Sequence, residues 1–208
     1  MKTFIYSIYF SILIILFLTG VSLAILHVND FLYVFTISYL ELETVVGVSE
    51  SFMVEHYHAV MNFLNPFSTV SFSLPELTYS ENGATHFVEC RILFRAVYLL
   101  SASSLLLLIL GMRALWNPKI LRCTAFSTIC LPCILGMWFA LDFNQAFTIF
   151  HSLFFANDYW IFDPYLDPII LILPQDFFLY CGIWIAGSWF VGALVLLTCS
   201  IFLKRKDD

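Results

Sequence analysis

Residues 150–178 read FHSLFFANDYWIFDPYLDPIILILPQDFF, and the rest of the chain can be understood from this stretch. Within its first part, from His151 to Pro168, a single histidine is followed by three aspartates, by several aromatic residues and by two Asp-Pro steps. In water, an exposed loop of this composition would form a large apolar patch. The surface of a lipid bilayer, or a lipid substrate, suits the loop better. We therefore expect this stretch to lie at the boundary between water and lipid.

The composition of the whole chain is typical of an integral membrane protein. Its 208 residues are 61% hydrophobic and 12% charged, and the mean hydropathy is +0.91. In a soluble domain, about a quarter of the residues are charged. We expect a mainly α, polytopic membrane protein whose residues 1–208 form one membrane domain. The four apolar windows that are long enough to cross a hydrocarbon core of about 30 Å are approximately residues 4–27, 92–112, 123–143 and 178–203.

The positive charges predict the orientation of these windows, because Lys and Arg accumulate in cytoplasmic segments. Arg91 and Arg95 stand at the outer start of the second window, and the other Lys and Arg fall on the opposite side. We therefore expect both termini and the loop 113–122 to be cytoplasmic. The loops 28–91 and 144–177 would then build a small extracytoplasmic domain. The residues on the cytoplasmic side are Lys2, Arg113, Lys119, Arg122, Lys204, Arg205 and Lys206.

The first window also has features of a signal peptide. Residues 21–24, VSLA, loosely resemble a cleavage site. The apolar run is longer than a typical h-region, however, and only one lysine precedes it. We therefore expect it to remain as a membrane span.

The outer loop contains two patterns of secondary structure. Residues 31–48, FLYVFTISYLELETVVGV, are rich in aromatic and β-branched residues, which favour strand-like structure. Residues 49–65, SESFMVEHYHAVMNFLN, predict an amphipathic helix that Ser49 or Ser51 caps and that Pro66 ends.

Two histidines are the candidates for chemistry. His86 precedes the second window and His151 follows the third, so both belong to the outer side of the membrane. An imidazole with a pKa near 6.5 is the usual general acid–base at neutral pH. Asp158, Asp163 and Asp167 lie downstream, and any of them could orient an imidazole. Asp163 and Asp167 can equally be turn formers, and His86 can be an interfacial histidine without a role in chemistry.

Several familiar chemistries lack their motifs. The sequence has no GxSxG elbow, no HExxH, no glycine-rich phosphate loop and no basic face for nucleic acid. Cys130 and Cys133 form a CxxC around Pro132, but inside an apolar helix this pattern favours packing over a zinc or redox site. His56 and His58 form an HxH pair without an evident third ligand. We expect no metal, no cofactor and no nucleic-acid partner.

Three parts of the sequence resemble the Lit family, the bacterial lipoprotein intramolecular transacylases. The stretch from FHSLFF to NDYWIFDPYLDPIILILPQDFF is similar to the family's signature. Residues 57–65, YHAVMNFLN, resemble its Tyr-x-x-Leu-Met-x-Tyr-Leu stretch. Residues 80–94, SENGATHFVECRILF, resemble its Ser-x-x-x-x-x-His-Met-x-Asp-Val pattern. Four spans with both termini inside also fit, so the resemblance covers nearly the whole chain.

The resemblance implies a reaction on diacylated lipoproteins at the outer face of the plasma membrane. The sn-2 acyl chain of the S-diacylglyceryl cysteine moves to the α-amine of the same cysteine, which gives the lyso form, N-acyl-S-monoacylglyceryl-cysteine. The family's functional histidines map onto His86 and His151. We expect His151 to take the amine proton and His86 to orient the substrate or to share the proton transfer. The residues expected to orient the substrate or to supply the oxyanion donor are Glu89, Asn157, Asp158, Trp160, Asp163 and Asp167.

The chain departs from the family pattern beside the first histidine. Glu89 and Cys90 stand where the family has Asp-Val, and Gln175 stands where it often has Glu. Cys90 raises a rival mechanism in which a thiolate is acylated and then attacked by the amine. Ser152 offers a weaker version of the same mechanism.

Two other classes of function remain open from the sequence. Asp142, near the outer end of the third window, would suit a polar pathway in a transporter subunit. The absence of charge deep in the other windows argues against that class. The aromatic stretch could instead contact a span of another membrane protein. For the transacylase, the expected partners are diacylated lipoproteins and membrane phospholipids, and we expect a monomer.

Overall fold

The computed structural model describes residues 2–207, without the side chains of residues 139, 140 and 205–207. The side chains of Arg205 and Lys206, which we expect on the cytoplasmic side, therefore lie outside the described residues. Within the described range, the regular secondary structure is entirely helical. The helices are α1 (Lys2–Val28), α2 (Phe31–Tyr39), α3 (Leu42–Val46), α4 (Glu50–Leu64), α5 (Glu81–Leu115), α6 (Pro118–Leu141), α7 (Phe143–Phe154), α8 (Ile169–Ile172) and α9 (Gln175–Asp207).

Four of these helices have segments long and apolar enough to cross a membrane, in agreement with the four windows of the sequence. The segments belong to α1, α5, α6 and α9, and they are Lys2–Val28, Glu81–Leu115, Pro118–Trp138 and Gln175–Lys204. A span needs about 20 residues, whereas α5 has 35. Helix α5 as a whole is therefore longer than a helix needs to be to cross the hydrocarbon core.

The first of two compact units consists of Met1–Ala24, Val97–Asp142 and Gly182–Asp208. Small and hydroxyl-bearing residues allow its helices to approach closely. A Cβ on Gly20 would overlap the side chain of Ser101, whose Oγ donates to the carbonyl of Phe17 at 3.1 Å. Trp189 Nε1 donates to Thr19 Oγ1 at 3.0 Å. Such contacts are typical of helices that pack inside a membrane.

The second compact unit consists of Ile25–Ala96 and Phe143–Cys181 and has its own apolar core. At its centre, the rings of Tyr33 and Tyr57 stack with centroids 4.4 Å apart. Both hydroxyls donate to backbone carbonyls, Tyr33 to Ile172 at 2.7 Å and Tyr57 to Leu26 at 3.1 Å. Burial raises the pKa of both phenols well above the usual value. The core therefore ties α2, α4 and α8 together through satisfied polar groups.

The segment between α1 and α5 confirms one prediction and corrects another. The amphipathic helix is present as α4, and Ser49 is its N-cap, with its Oγ accepting from Phe52 N at 3.3 Å. The strand-like prediction for residues 31–48 is wrong, because this segment forms α2 and α3. Tyr33, Thr36 and Ile37 of α2 are buried at helical spacing. Packing of this face outweighs the β propensity of the individual residues.

Candidate active site

The N-terminal end of α5 is fixed by a serine and a buried aspartate. Ser80 Oγ accepts a hydrogen bond from Gly83 N at 2.9 Å, as an N-cap does. The carboxylate of Asp167, which is 4% exposed, accepts from Ser80 N and from Ser80 Oγ, both at 2.8 Å. A Cβ on Gly83 would overlap this carboxylate. Asp167 therefore joins the loop after α7 to the start of α5.

His86 lies in the second turn of α5 and is 6% exposed. Its ring makes edge-to-face contacts with Phe155 and Phe162, with centroids 4.7 Å and 5.6 Å away. His86 Nε2 lies 3.4 Å from Sγ of Cys90, one helical turn later. Nδ1 is buried and has no hydrogen-bond partner within the described part of the chain. One nitrogen of His86 is therefore available to a bound group.

His151 lies on α7, and two aromatic rings contact its imidazole. It stacks on the indole of Trp160 with centroids 4.6 Å apart, and it contacts the ring of Phe147 at 4.1 Å. His151 Nδ1 lies 2.8 Å from the backbone carbonyl oxygen of Phe147. A carbonyl only accepts, so in the neutral imidazole Nδ1 carries the proton and Nε2 carries the lone pair.

The environment of His151 favours the neutral form of the ring. Burial lowers its pKa below the ordinary 6.5, and the hydrogen bond to the Phe147 carbonyl opposes this effect without cancelling it. At pH 7, His151 is therefore an imidazole whose Nε2 can accept a proton.

The two candidate histidines come together from α5 and α7. The centroids of the His86 and His151 rings are 5.9 Å apart. The ring of Phe155 contacts both imidazoles, with its centroid 4.7 Å from that of His86 and 5.7 Å from that of His151. Two imidazoles at this separation, surrounded by aromatic rings, are placed to take part in one proton transfer.

A polar pair connects the same two parts of the chain beside the histidines. Asn157 Nδ2 donates to Glu89 Oε1 at 2.7 Å. Asn157 Oδ1 in turn accepts from Tyr159 N at 3.1 Å, which fixes the loop after α7. Glu89 Oε2 is buried and has no hydrogen-bond partner among the described residues. A carboxylate oxygen in this state can accept a hydrogen bond from a positively charged ligand group.

The remaining candidates of the stretch are exposed residues of α7 and of the loop that follows it. Asp158 is exposed. Asp163 is also exposed, and its Oδ1 accepts from Tyr165 N at 2.9 Å, as in an Asx-turn. The hydroxyl of Ser152 is exposed and donates to a carbonyl of its own helix at 2.9 Å. Of the predicted site residues, the structure brings His86, His151 and Trp160 together with Cys90, and it pairs Glu89, one turn after His86 on α5, with Asn157.

The histidines of the HxH pattern have separate structural partners. His56 is fully buried, with Nδ1 2.7 Å from the Phe52 carbonyl and Nε2 accepting from Glu76 N at 3.4 Å. His58 Nε2 lies 3.4 Å from a carboxylate oxygen of Asp30 on the surface. Among the residues that the structure describes, no group of three or more His, Cys, Asp or Glu is arranged to hold a metal ion.

Sequence reasoning missed two features of this site. The four-residue spacing predicts that Cys90 shares a helix face with His86, but the thiol was considered only as a nucleophile and not as a hydrogen-bond partner of His86. Sequence reasoning also missed the bond between Glu89 and Asn157, which are 68 residues apart. No local pattern in the sequence predicts that the side chains of Glu89 and Asn157 form a hydrogen bond.

Comparison with known proteins identifies the family. The family model described as lipoprotein intramolecular transacylase Lit matches residues 6–178. The solved structure of the membrane integral lipoprotein intramolecular transacylase Lit from Bacillus cereus matches with a TM-score of 0.90 and 27% identity, covering 99% of this chain and 97% of that chain.

Two structures of the Bacillus cereus protein with one histidine replaced, by arginine or by alanine, match with TM-scores of 0.85 and 26% identity. They cover 99% of this chain, and 93% and 95% of those chains respectively. No curated protein sequence matches significantly. The family match and the four apolar helices establish a multi-pass membrane protein, and the chain belongs to the Lit family of lipoprotein intramolecular transacylases.

Proposed function

We propose that this chain moves the sn-2 acyl chain of an S-diacylglyceryl cysteine to the α-amine of the same cysteine. The substrate is a diacylated bacterial lipoprotein, and the product is the N-acyl-S-monoacylglyceryl lyso form. The observation that carries the proposal is the pair of imidazoles, His86 and His151, with ring centroids 5.9 Å apart in a member of this family.

The reaction takes place at the outer leaflet, with both termini in the cytoplasm. This placement is supported by the excess of Lys and Arg on the opposite side of the four helices. The imidazoles belong to the compact unit of Ile25–Ala96 and Phe143–Cys181, which corresponds closely to the two outer loops. We assign this unit as the extracytoplasmic domain.

Helix α7 presents an apolar face that suits the membrane surface. Ile149, Phe150, Leu153 and Phe154 are all exposed and share one side of the helix. An exposed face of this kind is stable where it enters the boundary between headgroups and acyl chains. His151 would then stand near the depth of the glyceryl esters of a lipoprotein held in the same leaflet.

His151 acts as the general base. An α-amine has a pKa of about 7.7–8.0, so an appreciable fraction is already neutral near pH 7. As the amine nitrogen bonds to the carbonyl carbon of the sn-2 ester, Nε2 of His151 takes an N–H proton. The tetrahedral intermediate then expels the glyceryl oxygen, and the imidazolium returns the proton to that oxygen. The C–O bond is lost, the amide is formed, and His151 is neutral again.

The other polar groups hold the reacting atoms in place. Glu89 Oε2, buried without a partner among the described residues, accepts a hydrogen bond from the incoming amine. His86 orients the substrate through its free Nδ1, while Trp160 and Asn157 are candidates to donate to the oxyanion. Because amine and ester belong to one molecule, holding them in contact contributes about 7–11 kcal/mol at most to lowering the barrier.

A cellular assay tests this function. The host is a bacterium that lacks lipoprotein N-acyltransferase and any transacylase of its own, and it expresses this chain, His151→Ala or His58→Ala. Substrate and product are isomers of equal mass, so the N-terminal lipopeptide must be fragmented by tandem mass spectrometry. We expect conversion by the parent and by His58→Ala, whose imidazole is on the surface, and conversion slowed about 10²–10⁴-fold with His151→Ala. An unconverted lipopeptide in cells with confirmed expression of the parent would refute the transacylase function.

A further inference from the structure

Cys90 contacts His86, one of the two histidines of the proposed active site. Its Sγ lies 3.4 Å from Nε2 of His86, and the two residues are one turn apart on α5. His86 is 94% buried, and its second nitrogen, Nδ1, has no hydrogen-bond partner within the described part of the chain. The thiol is therefore the neighbour that decides which nitrogen of His86 carries the proton.

The chemistry of the two groups assigns the proton. A thiol is a weak donor and a weak acceptor, whereas the unprotonated nitrogen of an imidazole is a good acceptor. The bond is therefore S–H to Nε2, with Cys90 donating. The neutral His86 ring then carries its own proton on Nδ1, the nitrogen without a partner.

We propose that Cys90 is a positioning residue that holds His86 as the Nδ1–H tautomer. This inference rests on the proposed function for its catalytic meaning. The site then contains two neutral imidazoles with opposite tasks. His151 carries its proton on Nδ1, bonded to the Phe147 carbonyl, and offers the Nε2 lone pair. His86 offers an N–H donor.

The N–H group of His86 acts on the oxygen atom that becomes negatively charged in the reaction. Nδ1–H donates a hydrogen bond to the carbonyl oxygen of the sn-2 ester, and this bond strengthens as that oxygen becomes negatively charged. No covalent bond forms or breaks at Cys90, and its S–H proton remains on sulfur throughout. This arrangement differs from an acyl-enzyme, in which Sγ would bond to the acyl carbon.

The tautomer can be measured directly on the resting protein. Purified chain with 15N-labelled histidine, in detergent micelles at pH 8, is examined by long-range 1H–15N correlation spectroscopy, with His86→Gln to assign the signals. We expect His86 to show a protonated Nδ1 and an unprotonated Nε2. A protonated Nε2 in the parent chain would overturn the proposal, and this result needs no Cys90 variant to fold.

Matched variants then test the role of the thiol. Cys90→Ser keeps a hydroxyl donor, Cys90→Ala removes the donor, and Cys181→Ala removes a second partly buried thiol that packs on the apolar core. We expect the Nδ1–H tautomer to persist with Ser and with Cys181→Ala, and to lose its dominance with Cys90→Ala. The turnover rate should fall about three- to tenfold with Cys90→Ala and be largely rescued by Cys90→Ser.

Contrary results separate the proposal from the rival mechanism and from the function itself. A Cys90→Ala chain with unchanged tautomer and unchanged rate would overturn the positioning role. An acyl thioester on Cys90 in the intact mass, together with loss of activity in Cys90→Ser, would overturn it in favour of the nucleophile. A parent chain with the expected tautomer but no conversion of lipoprotein would contradict the proposed function and leave the Cys90–His86 hydrogen bond supported.

Discussion

Nδ1 of His151 lies 2.8 Å from the backbone carbonyl oxygen of Phe147, one helical turn earlier on α7. This bond fixes the tautomer of the ring without a carboxylate. Asp158, Asp163 and Asp167 were candidates for that role from the sequence, and the backbone of α7 supplies the acceptor of Nδ1 instead. A neutral acceptor leaves the pKa of His151 below its ordinary 6.5, because burial disfavours the imidazolium.

The pH dependence of the rate follows from this relationship. Reaction requires a neutral amine, with a pKa near 8, and a neutral His151, with a pKa below 6.5. As pH falls, the logarithm of the single-turnover rate should decline with slope one below about pH 8 and with slope two below the pKa of His151. The residual rate of His151→Ala should show only the first bend. A parent profile with one bend throughout would show that His151 is not the base.

The stack between Trp160 and His151 predicts a second effect. The ring centroids are 4.6 Å apart and the planes differ by 29°, and an aromatic pair of this kind contributes about 0.5–1.5 kcal/mol. Trp160→Ala should therefore lower the turnover rate about two- to tenfold, and Trp160→Phe, which keeps an aromatic ring but has no N–H, should retain most of it where the indole only stacks. A loss of about 10²-fold or more with Trp160→Phe would instead identify the indole N–H as the oxyanion donor. Purified variants and a synthetic diacylated lipopeptide provide the measurement. Equal rates for all three chains would mean that the stack does not position the imidazole.

The anchor between Asp167 and Ser80 predicts a change in stability. Ser80→Ala removes a charge-assisted hydrogen bond and the side-chain cap of α5, which should lower the free energy of unfolding by about 1–3 kcal/mol. Gly83→Ala should also destabilise, because its Cβ would overlap the Asp167 carboxylate. Ser152→Ala, at an exposed hydroxyl of α7, is the control. Thermal unfolding in detergent gives the comparison, and a Ser80→Ala chain as stable as the control would contradict the anchor.

The proposed orientation can be tested by labelling in intact cells. In a chain whose six native cysteines are replaced, with Cys90 as serine, Asp158→Cys should react with a membrane-impermeant maleimide added outside. Trp116→Cys, in the link between α5 and α6, should react only after permeabilisation. Both side chains are exposed, so accessibility does not bias the result. The opposite pattern would invert the predicted topology.

The four apolar helices could be predicted from the sequence because the length and hydropathy of each window indicate by themselves that it lies in a bilayer. The location of His86 and His151 beside two of these windows was enough to expect that they meet, and their rings are indeed neighbours. Ser49 was also predictable as a cap, since capping depends on local sequence.

Other features depend on contacts that no local pattern records. Residues 31–48 form helices because Tyr33 and Ile37 pack into a core that also contains Ile172, far along the chain. Asp167 becomes an anchor because it meets Ser80, 87 residues earlier. A proline after Asp167 indicated an extended or turn conformation, and it could not indicate the partner.

In the proposed reaction, the acyl chain moves within one lipoprotein molecule. The most direct measurement is a crossover experiment with purified chain and two diacylated lipopeptides of different peptide sequence, only one of which carries a deuterated sn-2 acyl chain. Fragmentation by tandem mass spectrometry reports which acyl chain is attached to each α-amine. We predict that each peptide acquires its own acyl chain, deuterated on one and unlabelled on the other. Deuterated acyl groups on the unlabelled peptide would rule out an intramolecular reaction, because they require transfer between molecules.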